Sequence, residues 1–153
     1  CSSDLGLLEA GFSMAAYLLV WQRAGVGFQA LRQLAPQLLQ HTAPAPLQAL
    51  QLQASSVAFC TIVFCQVGVL LACRSERRSG IAMLNVTNPL LWLGLLSEGL
   101  LLAALLWIPP LARVFALVPT ASQWFGVLWL APLLILLADD LRKAARHTAL
   151  KGY

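Results

Sequence analysis

Residues 88–109, NPLLWLGLLSEGLLLAALLWIP, form an apolar run with a single carboxylate, Glu98, close to its middle. About 20 apolar residues suffice to cross the roughly 30 Å hydrocarbon core of a bilayer as a helix. A soluble helix would need a polar face, which this run lacks. Trp92 and Trp107 lie near its two ends, where indole side chains favour the membrane interface. The run therefore predicts a membrane-spanning helix that carries a buried or functional acid.

The composition of the whole chain supports the same class. Of its 153 residues, 59% are hydrophobic and only 10% are charged, against about 25% charged residues in soluble domains. The formal charge of +4 does not indicate nucleic-acid binding, because Lys and Arg occupy short connecting segments. The four cysteines contain no CxxC pair, so we expect no disulfide framework.

Apolar length predicts four antiparallel transmembrane helices, at about residues 5–21, 57–73, 89–108 and 122–138. In the first, Gly11 and Ala15 have a small-xxx-small spacing that would let another helix approach closely. In the last, Pro132 predicts a kink. Residues 25–56 alternate leucines with glutamines and contain three prolines. They predict an external segment of short interfacial helices, with a disordered segment as the alternative.

Basic residues orient these helices in the membrane. Three of the ten lie on one predicted side: Arg23, Arg32 and Arg113. Seven lie in the link of residues 74–88 and the tail of residues 139–153: Arg74, Arg77, Arg78, Arg142, Lys143, Arg146 and Lys151. By the positive-inside rule, the link, the tail and both termini are cytoplasmic.

Two polar side chains near the centres of predicted spans are candidate functional residues. Gln66 carries an amide that needs partners in hydrocarbon, so we expect it to face other helices, either as a structural hydrogen-bonding group or in an ion path. A charged side chain at the bilayer centre costs at least about 2.5 to 3.5 kcal/mol. We therefore expect Glu98 to be protonated and packed against neighbouring helices, as a buried structural acid or at the end of a proton path.

Four stretches follow one another along the chain in a distinctive order. They are GLLEAGFSMA, SVAFCTIVFCQVGVLLACRSERRSG, NPLLWLGLLSEGLLLAALLWIPPLARVFALVP and QWFGVLWLAPLLILLADDLRKAARH. In this order, and with these loop lengths, the chain resembles the carboxyl-terminal membrane region of P-type cation-transporting ATPases, their seventh to tenth helices. The resemblance implies that residues 1–153 are one transmembrane domain within a larger helical bundle, in the plasma membrane.

The resemblance also implies partners and cofactors for a parent pump. Its partners would be the remaining transmembrane helices, the cytoplasmic domains, the lipid bilayer and the transported cation. Such pumps couple ATP hydrolysis to cation movement through a phosphorylated aspartate, which implies ATP and Mg²⁺ for the parent. The phosphorylation motif DKTGT and the actuator motif TGE are absent from this sequence. We therefore assign no catalytic or cofactor-binding residue here and leave open whether the chain is an enzyme.

The resemblance assigns roles to both candidate residues. Gln66 matches a position on the eighth helix that contributes to a cation site, where calcium pumps have glutamate and sodium pumps have glutamine. Val69 replaces an aspartate of sodium pumps, which weakens the case for a third sodium site. Glu98 matches an acidic position of the ninth helix of sodium pumps, although its neighbour, Ser97, is not acidic as it is there. Gln66 is thus a possible cation-site contributor.

Two other functions fit the residues. A self-contained dimeric four-helix transporter would use Glu98 as its proton-coupling carboxylate. A membrane thiol oxidoreductase would use Cys60 and Cys65, although a five-residue spacing on a helix does not juxtapose two thiols well. An intact start codon and a stop after Tyr153 would favour the transporter, and thiol titration would detect the oxidoreductase.

Cysteine labelling tests the predicted orientation. His41→Cys places a thiol in the predicted external segment, so we expect it to react with a membrane-impermeant maleimide added to sealed cells. Arg146→Cys, in the predicted cytoplasmic tail, is the matched control and should react only after permeabilisation. Labelling of position 41 from the cytoplasmic side alone would overturn the assignment.

Overall fold

The computed structural model describes residues 3–73, 89–120 and 122–151, and these residues are mostly helical with no strand among them. The α-helices are α1 Ser3–Arg23, α2 Phe28–Leu39, α3 Ala45–Ala72, α4 Pro89–Trp107, α5 Pro109–Val114 and α6 Phe125–Lys151. A short 3-10 helix, Ser122–Trp124, precedes α6. The predicted all-α fold class is confirmed. The predicted cytoplasmic link at residues 74–88 lies outside the described residues.

Three of the described helices are long and apolar enough to cross a bilayer, namely Leu5–Arg23, Ala45–Ala72 and Pro89–Trp107. They contain or closely match the predicted spans at residues 5–21, 57–73 and 89–108, although the second ends one residue before Cys73. The fourth predicted span, residues 122–138, comprises the 3-10 helix and the first half of α6. That helix continues unbroken through Pro132 into the predicted tail. The fourth membrane crossing stays a prediction.

The polar segment between the first two predicted spans is mostly helical. In α2, Leu31 and Leu38 are buried against the rest of the protein, whereas Leu39 is exposed. Helix α3 begins at Ala45, well before the predicted start of the second span at residue 57. Gln48 Nε2 closes the turn between α2 and α3 by donating to the carbonyls of His41 and Ala43, at 2.9 and 2.7 Å. Residues 45–56 therefore extend the second predicted span by about three helical turns.

Helix α3 lies at the centre of the fold because both α1 and α6 pack along it. Helix α1 runs antiparallel to α3: Ser13 Oγ donates to the Ala58 carbonyl at 3.2 Å, and Tyr17 OH donates to Gln51 Oε1 at 2.5 Å. By contrast, the residues of α4 are mostly exposed. Its buried side chains, Leu105 and Leu106, lie near its carboxyl end.

Gly68 of α3 makes the tightest approach of any described glycine. A Cβ atom at this position would lie 2.9 Å from the Pro132 carbonyl oxygen, 3.0 Å from Pro132 Cα and 3.1 Å from Ile135 Cβ. Only a residue without a side chain lets α6 come this close. At Gly11, where the sequence predicted close packing, an added Cβ would have no atom within 4 Å. No described helix makes the predicted approach at Gly11.

The cysteines differ in their surroundings and in their chemistry. Cys60 and Cys65 are buried free thiols. Cys73, which caps α3 in an exposed position, is disulfide-bonded. The expectation that the chain contains no disulfide framework is therefore wrong at Cys73. The physical reason is access: side-chain packing encloses the two thiols inside the bundle, whereas the end of α3 leaves Cys73 open.

Replacing Gly68 with alanine tests the contact between α3 and α6. Because the added Cβ would meet backbone atoms of Pro132, the helices must separate, and we expect a loss of about 1 to 3 kcal/mol in the free energy of unfolding. The measurement is the thermal unfolding midpoint of the detergent-solubilised protein. Gly126→Ala in α6 is the matched control, because its Cβ would meet no atom within 4 Å. Equal midpoints for the two variants would contradict the contact.

Candidate functional site

The sides of α3 separate the two candidate residues. Cys65 and Ala58 lie on the side that faces α1, and Gly68 faces α6. A third side lines a cavity between α3, α4 and α6, through Cys60, Val63, Phe64, Val67 and Leu71. Successive residues of a helix are rotated by about 100°, so the side of α3 that is not yet assigned lies between the side that faces α1 and the side that faces α4. We call it the uncovered side of α3; it carries Ile62, Gln66 and Leu70.

Gln66 occupies the middle of this uncovered side. Its side chain and that of Leu70 are exposed, and Ile62 is partly buried. Among the described residues, the Gln66 amide has no hydrogen-bond partner. No helix described in this chain covers Gln66, so its packing against other helices stays a prediction. The described residues therefore provide no polar partner for this amide.

Glu98 lies on α4 and lines the cavity between α3, α4 and α6, which has a volume of about 480 Å³. We call this cavity the α4 cavity. The Glu98 side chain is partly buried, and its carboxyl group has no hydrogen-bond partner among the described residues. The neighbouring Ser97 hydroxyl donates instead to the Gly94 carbonyl, at 2.8 Å.

Gln66 and Glu98 do not form one site. Gln66 is absent from the lining of the α4 cavity, whereas its neighbour Val67 lines it. The two residues therefore lie on different sides of α3, and a ligand of Glu98 in this cavity would not contact the Gln66 amide. In the described part of the chain, no group of three or more His, Cys, Asp or Glu residues could hold a metal ion.

The structure also contains a buried charge cluster that the sequence analysis did not identify. Asp139 of α6 is only 1% exposed; its Oδ1 lies 2.6 Å from Arg142 Nη2, and its Oδ2 forms an ion pair with Lys143. The Lys143 ammonium also donates to the Ala72 carbonyl at 2.9 Å. Ala72 is the last residue of α3, so the cluster joins the end of α3 to α6. The signal in the sequence is the spacing of Asp139 and Lys143, which puts them one helical turn apart.

The two thiols do not meet as a redox pair. Cys60 lies in a cluster with Leu105 and Leu128, and its sulfur is 3.8 Å from Thr120 Oγ1. Cys65 belongs to a different cluster, which also contains Ile135. Because each thiol packs in its own apolar environment, the structure does not support a thiol oxidoreductase built on this pair.

Comparison with known protein families gives a match over nearly the whole chain. Residues 5–145 match the family described as the C-terminus of cation-transporting ATPases. The matched range includes Gln66, Glu98 and the buried charge cluster. No curated protein matches the chain.

Removing one member of the charge cluster tests its structural role. Asp139→Asn would leave the buried Lys143 ammonium without its carboxylate, so we expect a loss of about 3 kcal/mol in the free energy of unfolding. The double variant Asp139→Leu/Lys143→Met removes the buried Asp139–Lys143 pair and leaves the partly exposed Arg142 to solvent. It should recover most of the loss, because an apolar pair of similar volume is tolerated. Thermal unfolding of both proteins gives the comparison. A double variant as unstable as the single one would argue against the ion pair as the cause.

Proposed function

Because this chain belongs to the family of C-terminal regions of cation-transporting ATPases, we propose that it acts as a membrane support and partial ion-pathway module of an ATP-driven P-type pump. Three described helices with the length and composition of membrane spans support this role. Its proposed partners are the remaining transmembrane helices and cytoplasmic domains of the pump, the lipid bilayer and the transported cation. ATP and Mg²⁺ would bind elsewhere in the pump, and no residue of this chain is assigned to them.

The exposed amide of Gln66 is the observation that carries the ion-pathway role. In hydrocarbon, an unpaired primary amide is costly, so Gln66 requires polar partners. Among the described residues it has none. The uncovered side of α3 is therefore where we place the other helices of the pump and, between them and α3, part of the cation path.

The chemistry of the amide limits what Gln66 contributes. Its carbonyl oxygen can coordinate a hard cation, but it carries no charge. Gln66 therefore tunes cation affinity, while a charged group on another helix would serve as the main ligand. Its neighbours on the uncovered side, Ile62 and Leu70, are apolar and offer no oxygen ligand of their own.

Glu98 has a different proposed role. It lines an apolar cavity, and none of the described residues that line this cavity is basic. An ionised carboxylate there would lack a partner, so we infer that Glu98 is a neutral packing acid in the resting pump. A position at the end of a proton path is the second reading, and it predicts that Glu98→Gln abolishes any pH dependence of transport.

The membrane topology we propose has four crossings, with α6 as the last. Helix α6 packs along α3, and its charge cluster lies at the carboxyl end of α3. Both features are expected if α3 and α6 cross the bilayer side by side and end at the same surface. By the positive-inside rule that surface is cytoplasmic, and both termini lie there. We propose the plasma membrane as the location.

Gln66→Ala in the intact pump tests the ion-pathway role. We expect the cation concentration for half-maximal ATP hydrolysis to rise about two- to fivefold, the effect of losing a neutral contact of roughly 0.5 to 1 kcal/mol. The measurement is ATP hydrolysis in membrane vesicles with Na⁺, K⁺ and Ca²⁺ titrated in turn.

A control variant separates this effect from general damage. Gln53→Ala removes the same amide from α3 near the start of the helix, and it should leave the half-maximal cation concentration unchanged. If Gln66→Ala behaves like this control, Gln66 has a purely structural role.

A further inference from the structure

The α4 cavity has the size of a ligand site. Its volume is about 480 Å³, within the range of roughly 300 to 1,000 Å³ that is typical of small-molecule sites. Along most of its length α4 is exposed, and its buried residues are Leu105 and Leu106 near its carboxyl end. The cavity therefore separates α4 from α3 and α6 through most of the depth of the predicted membrane span.

The wall of the cavity is unusually aromatic. Its aromatic side chains come from α3, α4 and α6, namely Phe64, Trp92, Trp107, Phe125 and Trp129. Phe64 and Trp129 contact each other edge to face, with ring centroids 5.3 Å apart and an angle of 82° between the rings. This geometry is favourable for an aromatic pair. The contact fixes part of the wall as a preformed surface.

Among the described residues that line this cavity, Glu98 is the one acidic side chain and none is basic. Its carboxyl group is also without a hydrogen-bond partner in the described part of the chain. A neutral alkyl chain would fill the apolar volume but leave this carboxyl unpaired. An anionic amphiphile would add a second acidic group beside it. A lipophilic base fills the apolar volume with its alkyl chain and pairs with the acid by taking its proton.

We propose that the α4 cavity binds a single-chain lipophilic amine, with its nitrogen at Glu98 and its alkyl chain along the aromatic wall. The amine enters as the free base and takes the proton of the neutral carboxyl. An N–H bond forms as the carboxyl O–H bond breaks, giving an ammonium paired with a carboxylate. No net charge enters the bilayer in this step, so the usual cost of burying a single ion is avoided. The aromatic faces stabilise the ammonium further.

This inference rests on the neutral state of Glu98 proposed above, but not on the ion-pathway role of Gln66. The cavity and the uncovered side of α3 are separate, so a ligand at Glu98 would act on how α4 is held and would leave the Gln66 amide untouched. Either proposal can fail while the other stands.

The test uses the intact pump in nanodiscs of neutral phosphatidylcholine, with dodecylamine and dodecanol as probes. The two share the same alkyl chain and differ in the amine. A ligand that binds the native state raises the unfolding midpoint as it saturates its site. At equal membrane concentrations, we expect dodecylamine to reach half of its maximal stabilisation at a concentration at least about tenfold lower than dodecanol, which corresponds to about 1.4 kcal/mol.

Three variants locate the binding site. Glu98→Gln preserves the shape of the acid and should make the two probes equivalent. Gly99 lines the cavity, and an added Cβ there would meet no atom within 4 Å. Gly99→Leu should therefore fill the cavity and abolish stabilisation by either probe. Gly94→Leu on the same helix is the matched control, because Gly94 also has room for a Cβ but does not line the cavity. It should behave like the unmodified pump.

Three results would overturn the proposal. Equal potency of dodecylamine and dodecanol in the unmodified pump would show that the cavity takes a neutral chain. A preference for the amine that survives in Glu98→Gln would place the amine site elsewhere. Undiminished stabilisation of Gly99→Leu would show that neither probe occupies this cavity.

Discussion

The contact between Gly68 and Pro132 determines how the rest of the fold is arranged. Proline has no amide hydrogen, so the Leu128 carbonyl, one turn earlier in α6, loses its usual helical donor. An interior proline is therefore unfavourable in an isolated helix. Here it lies against a residue without a side chain, and the two backbones pack at a distance that no other residue would permit. The contact fixes the rotation of α3 relative to α6, and thereby the direction of every other side of α3.

That rotation divides α3 into sides with different chemistry. The sides that face α1 and α6 carry small or buried residues, and their polar groups are satisfied locally, as where the Thr61 hydroxyl donates to the Val57 carbonyl at 2.8 Å. Ser56 goes further and accepts the Val118 amide at 2.8 Å, which ties the loop before α6 to α3. On the uncovered side, the Gln66 amide has no hydrogen-bond partner among the described residues. The contrast is physical: the Thr61 and Ser56 hydroxyls have partners within the described part of the chain, whereas the Gln66 amide has none there.

The sequence predicted the spans well because apolar length is a property of each segment alone. It predicted less of the packing between helices, because that packing depends on which sides of two helices face each other. Gly11 and Gly68 are both glycines in apolar helices, and only the structure shows that Gly68 faces another described helix. Similarly, Gln66 and Glu98 were both identified as polar residues near span centres. Nothing in the sequence showed that Gln66 lies on one side of α3 and that Glu98, on α4, faces another. The start of α3 at Ala45 was missed because glutamines and prolines obscured a helix that begins well before the predicted span.

The weak attachment of α4 follows from the solvent in which it lies. In water, the apolar side chains with which α4 lines the cavity, such as Leu95 and Leu102, would drive α4 against α3 and close the space between them. In a bilayer this force is absent, because lipid tails are as apolar as leucine, and helices associate through close packing and hydrogen bonds instead. The residues on α4 that face α3 provide neither, apart from Leu105 and Leu106 near its end. The α4 cavity therefore remains open to a ligand, because closing it would gain little free energy.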